Sequence, residues 1–375
     1  MVRIRCLLFL QTVKTKKNGD KSMSSSYTYL EILRLNQAAM EKAQKKWDNV
    51  AKPLRGLGRL EDVIVRIAGI QGTENILLQK RAMLVFCADN GITRQGVTQT
   101  DSHVTAVVAD NIADGKASIS KMCRRCRTDV LAVDIGILDE TYSEKLICRK
   151  IAYGTKDFSK EPAMSQEEAY SAIETGIALV KECREKGYRI LGTGEMGIGN
   201  TTTGSAVAAA LLGLPVETAV GRGAGLSDEG LKRKQTIIAD AIDRYGLREK
   251  SAFEVLCHVG GFDIAGMAGA FIGGALFGVP VVIDGMISAV SALVAEKLCP
   301  GVVDFMLASH ISREPCMEAI LKELCLTPVI HADLALGEGS GAALLFPMLD
   351  MAEAVYGNDE TFEKVNIKPY ERYEE

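Results

Sequence analysis

Arg189-Ile-Leu-Gly-Thr-Gly-Glu-Met-Gly-Ile-Gly-Asn-Thr-Thr-Thr-Gly-Ser-Ala-Val-Ala-Ala-Ala-Leu-Leu212 passes from a short apolar run, through a glycine-rich turn, into small apolar residues. That order predicts a strand, a loop and a helix. The first N–H groups of such a helix lack intrahelical partners and its dipole favours negative charge, so the turn is an anion site. Gly194 to Thr201 has the P-loop spacing, but Asn200 stands where the lysine belongs. Nucleoside triphosphate hydrolysis is therefore disfavoured, while a phosphate cradle with another source of positive charge fits. A glycine-rich packing turn is the bland alternative. The cation can come from Gly221-Arg-Gly-Ala-Gly-Leu-Ser-Asp-Glu-Gly-Leu-Lys-Arg-Lys234, where Ser227 or Asp228 caps a helix carrying Lys232 and Lys234.

Working outward, short apolar runs recur between helical stretches: Met83–Cys87, Val130–Ile135, Arg189–Leu191, Val281–Ile283, Val302–Leu307 and Val329–Ile330. Alternation of this kind predicts βαβ units, an α/β fold and a mostly parallel sheet buried on both faces. Ala210-Leu-Leu-Gly-Leu-Pro-Val216 is echoed by Ala275-Leu-Phe-Gly-Val-Pro-Val281, each read as a helix end, a glycine stop and a proline entering a strand. Polar and glycine residues follow the runs at Ala88-Asp89-Asn90-Gly91, Gly192–Glu195, Asp284-Gly285 and Ser309-His310. Ligands bind outside the carboxyl ends of strands in open parallel sheets, so these turns mark the site.

The composition is that of a globular chain, with 47% hydrophobic and 25% charged residues among 375. A net charge of −4 and a single Trp exclude an extended nucleic-acid surface. The ten Cys form no secreted disulfide pattern, and Cys123 and Cys126 lack the second ligand pair of a zinc site, which points to reduced thiols in the cytoplasm. Ile264 to Ile283 carries no charge, but Gly278-Val279-Pro280 interrupts it. It reads as a small-residue helix over Ala265–Phe277 and a buried strand over Pro280–Ile283, with no membrane span. Residues 1–22 read as a disordered tail, with Met23 an alternative start. Residues 23–72 and 349–375 form a small helical domain in this reading, around a large α/β domain at 73–348.

Leu334-Ala-Leu-Gly-Glu-Gly-Ser-Gly-Ala-Ala-Leu344 places a single carboxylate, Glu338, between glycines and apolar flanks. Burial there would raise its pKa toward that of a usable base, and a following helix N-terminus would lower it. The four His show no metal spacing, and neither metal nor cofactor is implied.

Together these segments resemble the nicotinate-nucleotide–dimethylbenzimidazole phosphoribosyltransferase family. The resemblance rests on Lys52-Pro-Leu-Arg-Gly-Leu-Gly-Arg-Leu-Glu61, Phe86-Cys-Ala-Asp-Asn-Gly91 with Gly96-Val97, and Gly194–Thr202. It continues through Gly221–Gly225, Gly260-Gly-Phe-Asp-Ile-Ala265, Val279-Pro-Val-Val-Ile-Asp-Gly285, Ser309-His-Ile-Ser-Arg-Glu314 and Leu336–Gly341. In family order, these cover roughly Tyr27 to Val355.

The resemblance implies a Rossmann-like six-stranded sheet flanked by helices, a small helical domain from both chain ends, and a homodimer. It implies a pentosyltransferase that moves phosphoribose from nicotinate mononucleotide to dimethylbenzimidazole or a related base, with inversion at the anomeric carbon, in assembly of the cobalamin nucleotide loop. Glu338 matches the general base. Glu195, Met196, Gly197, Gly199, Asn200, Thr201, Thr202, Lys234, Asp263, Asp284 and Ser312 match substrate-binding segments. Asp89, Thr98 and Ser102 fall where the base pocket is expected. There the chain departs from the family's usual Pro-Gln-Glu-Val-Thr element and reads Thr98-Gln-Thr-Asp-Ser-His103, so the acceptor base stays open. A non-catalytic nucleotide-binding protein on the same scaffold is the alternative.

Overall fold

The computed structural model describes residues 3–15, 21–358 and 360–371. β1 (Arg3–Thr15) and β2 (Lys21–Leu33) lead into helices α1 (Gln37–Asn49) and α2 (Arg59–Gln71). β3 (Arg81–Ala88), α3 (His103–Ala113), α4 (Ser118–Arg125), β4 (Asp129–Gly136), β5 (Ile147–Cys148) and α5 (Gln166–Glu185) follow. Next come β6 (Ile190–Met196), α6 (Asn200–Leu212), α7 (Val216–Ala219), α8 (Asp228–Tyr245), α9 (Ala252–Val259) and α10 (Phe262–Phe277). The chain continues with β7 (Val281–Ile283), α11 (Met286–Leu298), β8 (Met306–Ala308) and β9 (His310–Ser312). It closes with α12 (Met317–Glu323), β10 (Ile330–Leu334) and α13 (Ser340–Tyr356).

Six strands form a parallel sheet in the order β5-β4-β3-β6-β7-β8. The chain starts at the centre, winds to one edge, then returns beside β3 and winds to the other. This is the doubly wound Rossmann order, and its switch point lies between β3 and β6. Strand β3 shows why both faces are apolar: Leu84 and Phe86 join one core cluster, Met83 and Val85 the other. The small residues of α10 serve close packing, because a side chain on Gly176 of α5 would overlap the Gly266 carbonyl and stand 2.7 Å from the Ala270 nitrogen. The uncharged stretch from Ile264 is thus core, as its glycines and proline indicated. No helix among the described residues is long and apolar enough to cross a membrane.

Several local expectations need correction. The structure pairs β1 with β2 as an antiparallel hairpin in place of a structureless 1–22 and a helical start near Tyr27; residues 1–2 and 16–20 lie outside the described residues. Val302–Leu307 divides into a 3-10 turn at Val302–Phe305 and strand β8. Glu296 accepts from the N–H groups of Gly301 and Val303, both at 2.8 Å, and so holds the turn. Val329–Ile330 does not join the main sheet, since β10 pairs with β9 in a separate two-stranded sheet. Helices α6 and α10 both stop at a left-handed glycine, Gly213 and Gly278, but Pro215 leads into α7 where a strand was expected.

The two ends of the chain meet on one face of the sheet. Trp47 and Tyr356 pack with ring centroids 5.0 Å apart, and Tyr356 Oη donates to the Glu74 carbonyl at 2.6 Å. Arg81 opens β3 and donates to both carboxylate oxygens of Asp350 on α13, at 2.7 and 2.6 Å.

Candidate active site

At the switch point, Gly197-Ile-Gly199 turns the chain from β6 into α6, with Gly199 at φ 94°. Asn90 Nδ2 donates to the Ile198 carbonyl at 3.4 Å, and Ile198 N–H donates to Thr105 Oγ1 at 3.2 Å. Of the two lysines on α8 that the sequence offered, Lys234 is the one packed against this turn. Its buried Nζ donates to Thr201 Oγ1 at 3.0 Å and to the Gly221 carbonyl at 3.1 Å, whereas Lys232 is exposed. Burial pushes the Lys234 ammonium down to about 8, against an upward pull from Glu314. Asn200, in the P-loop lysine position, instead binds carboxylates: Nδ2 donates to Glu195 and, at 3.1 Å, to Asp263 Oδ2. Burial, then repulsion from Asp263, push Glu195 up to about 8. Burial likewise pushes Asp263 up to about 6.

Glu338 sits on a turn in which Gly337, Glu338 and Gly339 have φ of 80°, 60° and 96°. Three left-handed residues in succession suit glycine, and a carboxylate-bearing residue there is under strain. Its Oε2 accepts from the Ile119 N–H at 3.3 Å, in the first turn of α4. Burial raises the Glu338 pKa and that N–H lowers it. The helix start that touches the carboxylate therefore belongs to α4, which no reading of residues 334–344 discloses. Asp284 accepts from Gly339, Gly341 and Ala342 N–H at 3.1, 2.6 and 3.2 Å. Burial pushes it up to about 6, opposed by these bonds.

A cavity of about 210 Å³ opens between these elements. Of the expected residues it brings together Glu195, Met196, Gly197, Asn200, Thr201, Asp284, Ser312 and Glu338. Gly199 and Thr98 line a smaller cavity of about 90 Å³, which shares Gly197, Asn200 and Thr201 and adds Arg222. Thr202, Lys234 and Asp263 are buried behind the walls. Asp89 and Ser102 line neither cavity. Asp89 is buried with Oδ2 accepting from Leu138 N–H at 2.8 Å, and Ser102 Oγ lies 3.4 Å from Thr93 Oγ1. Their segment braces the loop from outside the larger cavity, through the Thr105–Ile198 bond.

Sequence reasoning marked His310 only as part of the Ser309-His310 turn and gave Glu314 no role, and both line the larger cavity. Burial pushes the His310 imidazole down to about 4, so it is neutral near pH 7. Glu314 Oε2 and Ser312 Oγ are buried with no hydrogen-bond partner among the described residues. Polar atoms left open in this way are suited to a polar ligand. The Ser309–Glu314 motif carried the signal, but one strand of sequence does not show which side chains face inward. The site as a whole sets the glycine turn before α6, backed by the buried Lys234, across a cavity from the half-buried carboxylate of Glu338.

The phosphoribosyltransferase family model matches residues 32–367. A nicotinate-nucleotide–dimethylbenzimidazole phosphoribosyltransferase of Acetivibrio thermocellus is 43% identical over 344 residues, covering 92% of this chain and 98% of that protein. The protein of the same name from Chloroflexus aggregans is 42% identical over 334 residues, covering 89% and 95%. The crystal structure of CobT from Thermus thermophilus superposes with a TM-score of 0.84 at 37% identity, covering 88% of this chain and 99% of the other.

Proposed function

This chain belongs to the phosphoribosyltransferase family whose model spans residues 32–367, and we propose that it transfers phosphoribose from nicotinate mononucleotide to dimethylbenzimidazole or a related base. The observation that carries the reading is the placement of Glu338 on the cavity that the Gly197–Thr201 loop also walls. Relatives that bear an enzyme name over nearly the whole chain favour it over a non-catalytic nucleotide-binding role.

The phosphate is held at the start of α6, with Lys234 behind Thr201 supplying positive charge. Phosphate anchoring keeps the ribose in place while two bases exchange, which is catalysis by positioning. Nicotinate leaves from a pyridinium nucleotide, a good leaving group that needs no strong acid. An imidazole nitrogen of the acceptor attacks the anomeric carbon from the opposite face, so a β-linked nucleotide gives an α-linked product. Glu338 takes the proton from the other ring nitrogen, and the product base remains neutral. The protein acts in the cytoplasm as a homodimer, in assembly of the cobalamin nucleotide loop.

The test is incubation with nicotinate mononucleotide and dimethylbenzimidazole, with mass detection of nicotinate and the α-nucleotide. Absence of product across benzimidazoles, purines and smaller azoles would sink the proposal. Competition among those bases ranks the acceptors.

A further inference from the structure

We infer that Asp284 is a positioning residue, whose carboxylate holds the Gly337–Gly339 turn and so aims Glu338 into the cavity; this rests on the reaction proposed above. Asp284 lines the cavity, but its oxygens are already committed. Oδ2 accepts from Gly339 N–H at 3.1 Å, and Oδ1 accepts from Gly341 at 2.6 Å and Ala342 at 3.2 Å. These N–H groups belong to the start of α13, where a helix has no backbone acceptors of its own. The cap is supplied across the fold from the end of β7, because Gly339, at the N-cap position, has no side chain to supply it.

Asp284 is itself fixed. It is buried, its N–H donates to Ser288 Oγ at 3.1 Å, and Ser309 Oγ donates to the preceding Ile283 carbonyl at 2.6 Å. The turn it grips contains three left-handed residues, a conformation that persists only when its surroundings over-determine it. Asp284 grips the turn at Gly339, next to the carboxylate-bearing residue. Loss of that grip releases the turn toward ordinary backbone angles and moves Glu338 relative to the acceptor, while the phosphate cradle on α6 is untouched.

Steady-state kinetics of wild type, Asp284→Asn, Glu338→Gln and the double variant test this, with nicotinate mononucleotide and dimethylbenzimidazole as substrates. In Asp284→Asn the amide nitrogen opposes a backbone donor, and kcat is expected to fall by about a hundredfold. KM for nicotinate mononucleotide should change by less than about threefold. The double variant should be no slower than Glu338→Gln alone, since both changes disable one device. A raised KM with kcat intact would assign Asp284 to direct substrate binding and overturn the inference, as would losses that multiply in the double variant. If Asp284→Asn does not fold, Asp284→Glu keeps the charge one methylene out of register, and the same split and non-additivity are expected of it. An active wild type beside a fully active Asp284→Asn overturns this inference alone; an inactive wild type overturns the proposed reaction and this inference with it.

Discussion

Gly194 and Glu338 are in backbone contact: a methyl group on Gly194 would overlap the Glu338 carbonyl and stand 2.6 Å from the Gly339 nitrogen. The end of β6 thus forms the floor on which the Glu338 turn rests. Gly194→Ala is expected to cost about 2 kcal/mol of stability by overpacking. It should also lower kcat about tenfold or more, by displacing the carboxylate. Urea unfolding and steady-state kinetics on one preparation check both; an alanine variant of full stability and activity would show that the contact can relax.

Glu338→Gln is expected to lower kcat by about a hundredfold or more and leave KM for nicotinate mononucleotide nearly unchanged. The base must be ionised to accept a proton, and burial raises its pKa above the ordinary 4.5. Activity should therefore climb as pH rises through that raised value, with an acid limb displaced upward from a free glutamate. The pH profile of kcat/KM checks this, and the variant should lack the limb.

Lys234→Met removes the buried cation behind Thr201. A charge-assisted bond of this kind is worth about 1.5–3 kcal/mol, so KM for nicotinate mononucleotide should rise about ten- to a hundredfold. Nicotinate riboside, which has no phosphate, should be handled equally by the variant and the wild type. Equal losses on both substrates would contradict a phosphate role.

Stability should fall as pH rises. Glu195 is pushed up to about 8, and Asp263 and Asp284 to about 6. The folded protein therefore holds protons that the unfolded chain has released, and the stability difference is lost as pH climbs through each raised value. Thermal melts should show a decline between about pH 4 and pH 8, offset in part below about pH 6.5 by His310, whose lowered value acts with the opposite sign. Glu195→Gln should flatten its upper part; a midpoint that rises across this range would refute the assignment.

Strands such as Met83–Cys87 and Val281–Ile283 were legible because β-branched runs, glycine stops and prolines act over a few residues. The switch-point turns were legible for the same reason, as Gly192–Thr202 carries its own punctuation. The pairing of β1 with β2 was missed in favour of a tail. Pairing between β10 and β9 is a long-range choice that local composition does not record. For Asp89 and Ser102, motif position placed both near the base; packing put Asp89 under Leu138 and Ser102 beside Thr93.

The sequence by itself determined the alternation of strands and helices, the glycine turn ahead of α6 and the strangeness of a glutamate between glycines. Those features depend on Cβ sterics, local hydrogen bonding and period, which are properties of neighbouring residues. Only the tertiary structure decided that Glu195, Asp284 and Glu338 share a cavity, that Lys234 and not Lys232 is the buried lysine, and that α4 supplies an N–H to the Glu338 carboxylate. Those relations arise when crossover connections bring distant strand ends together. Proton affinity follows from them, because desolvation and mutual repulsion act on a carboxylate only once its neighbours are packed around it.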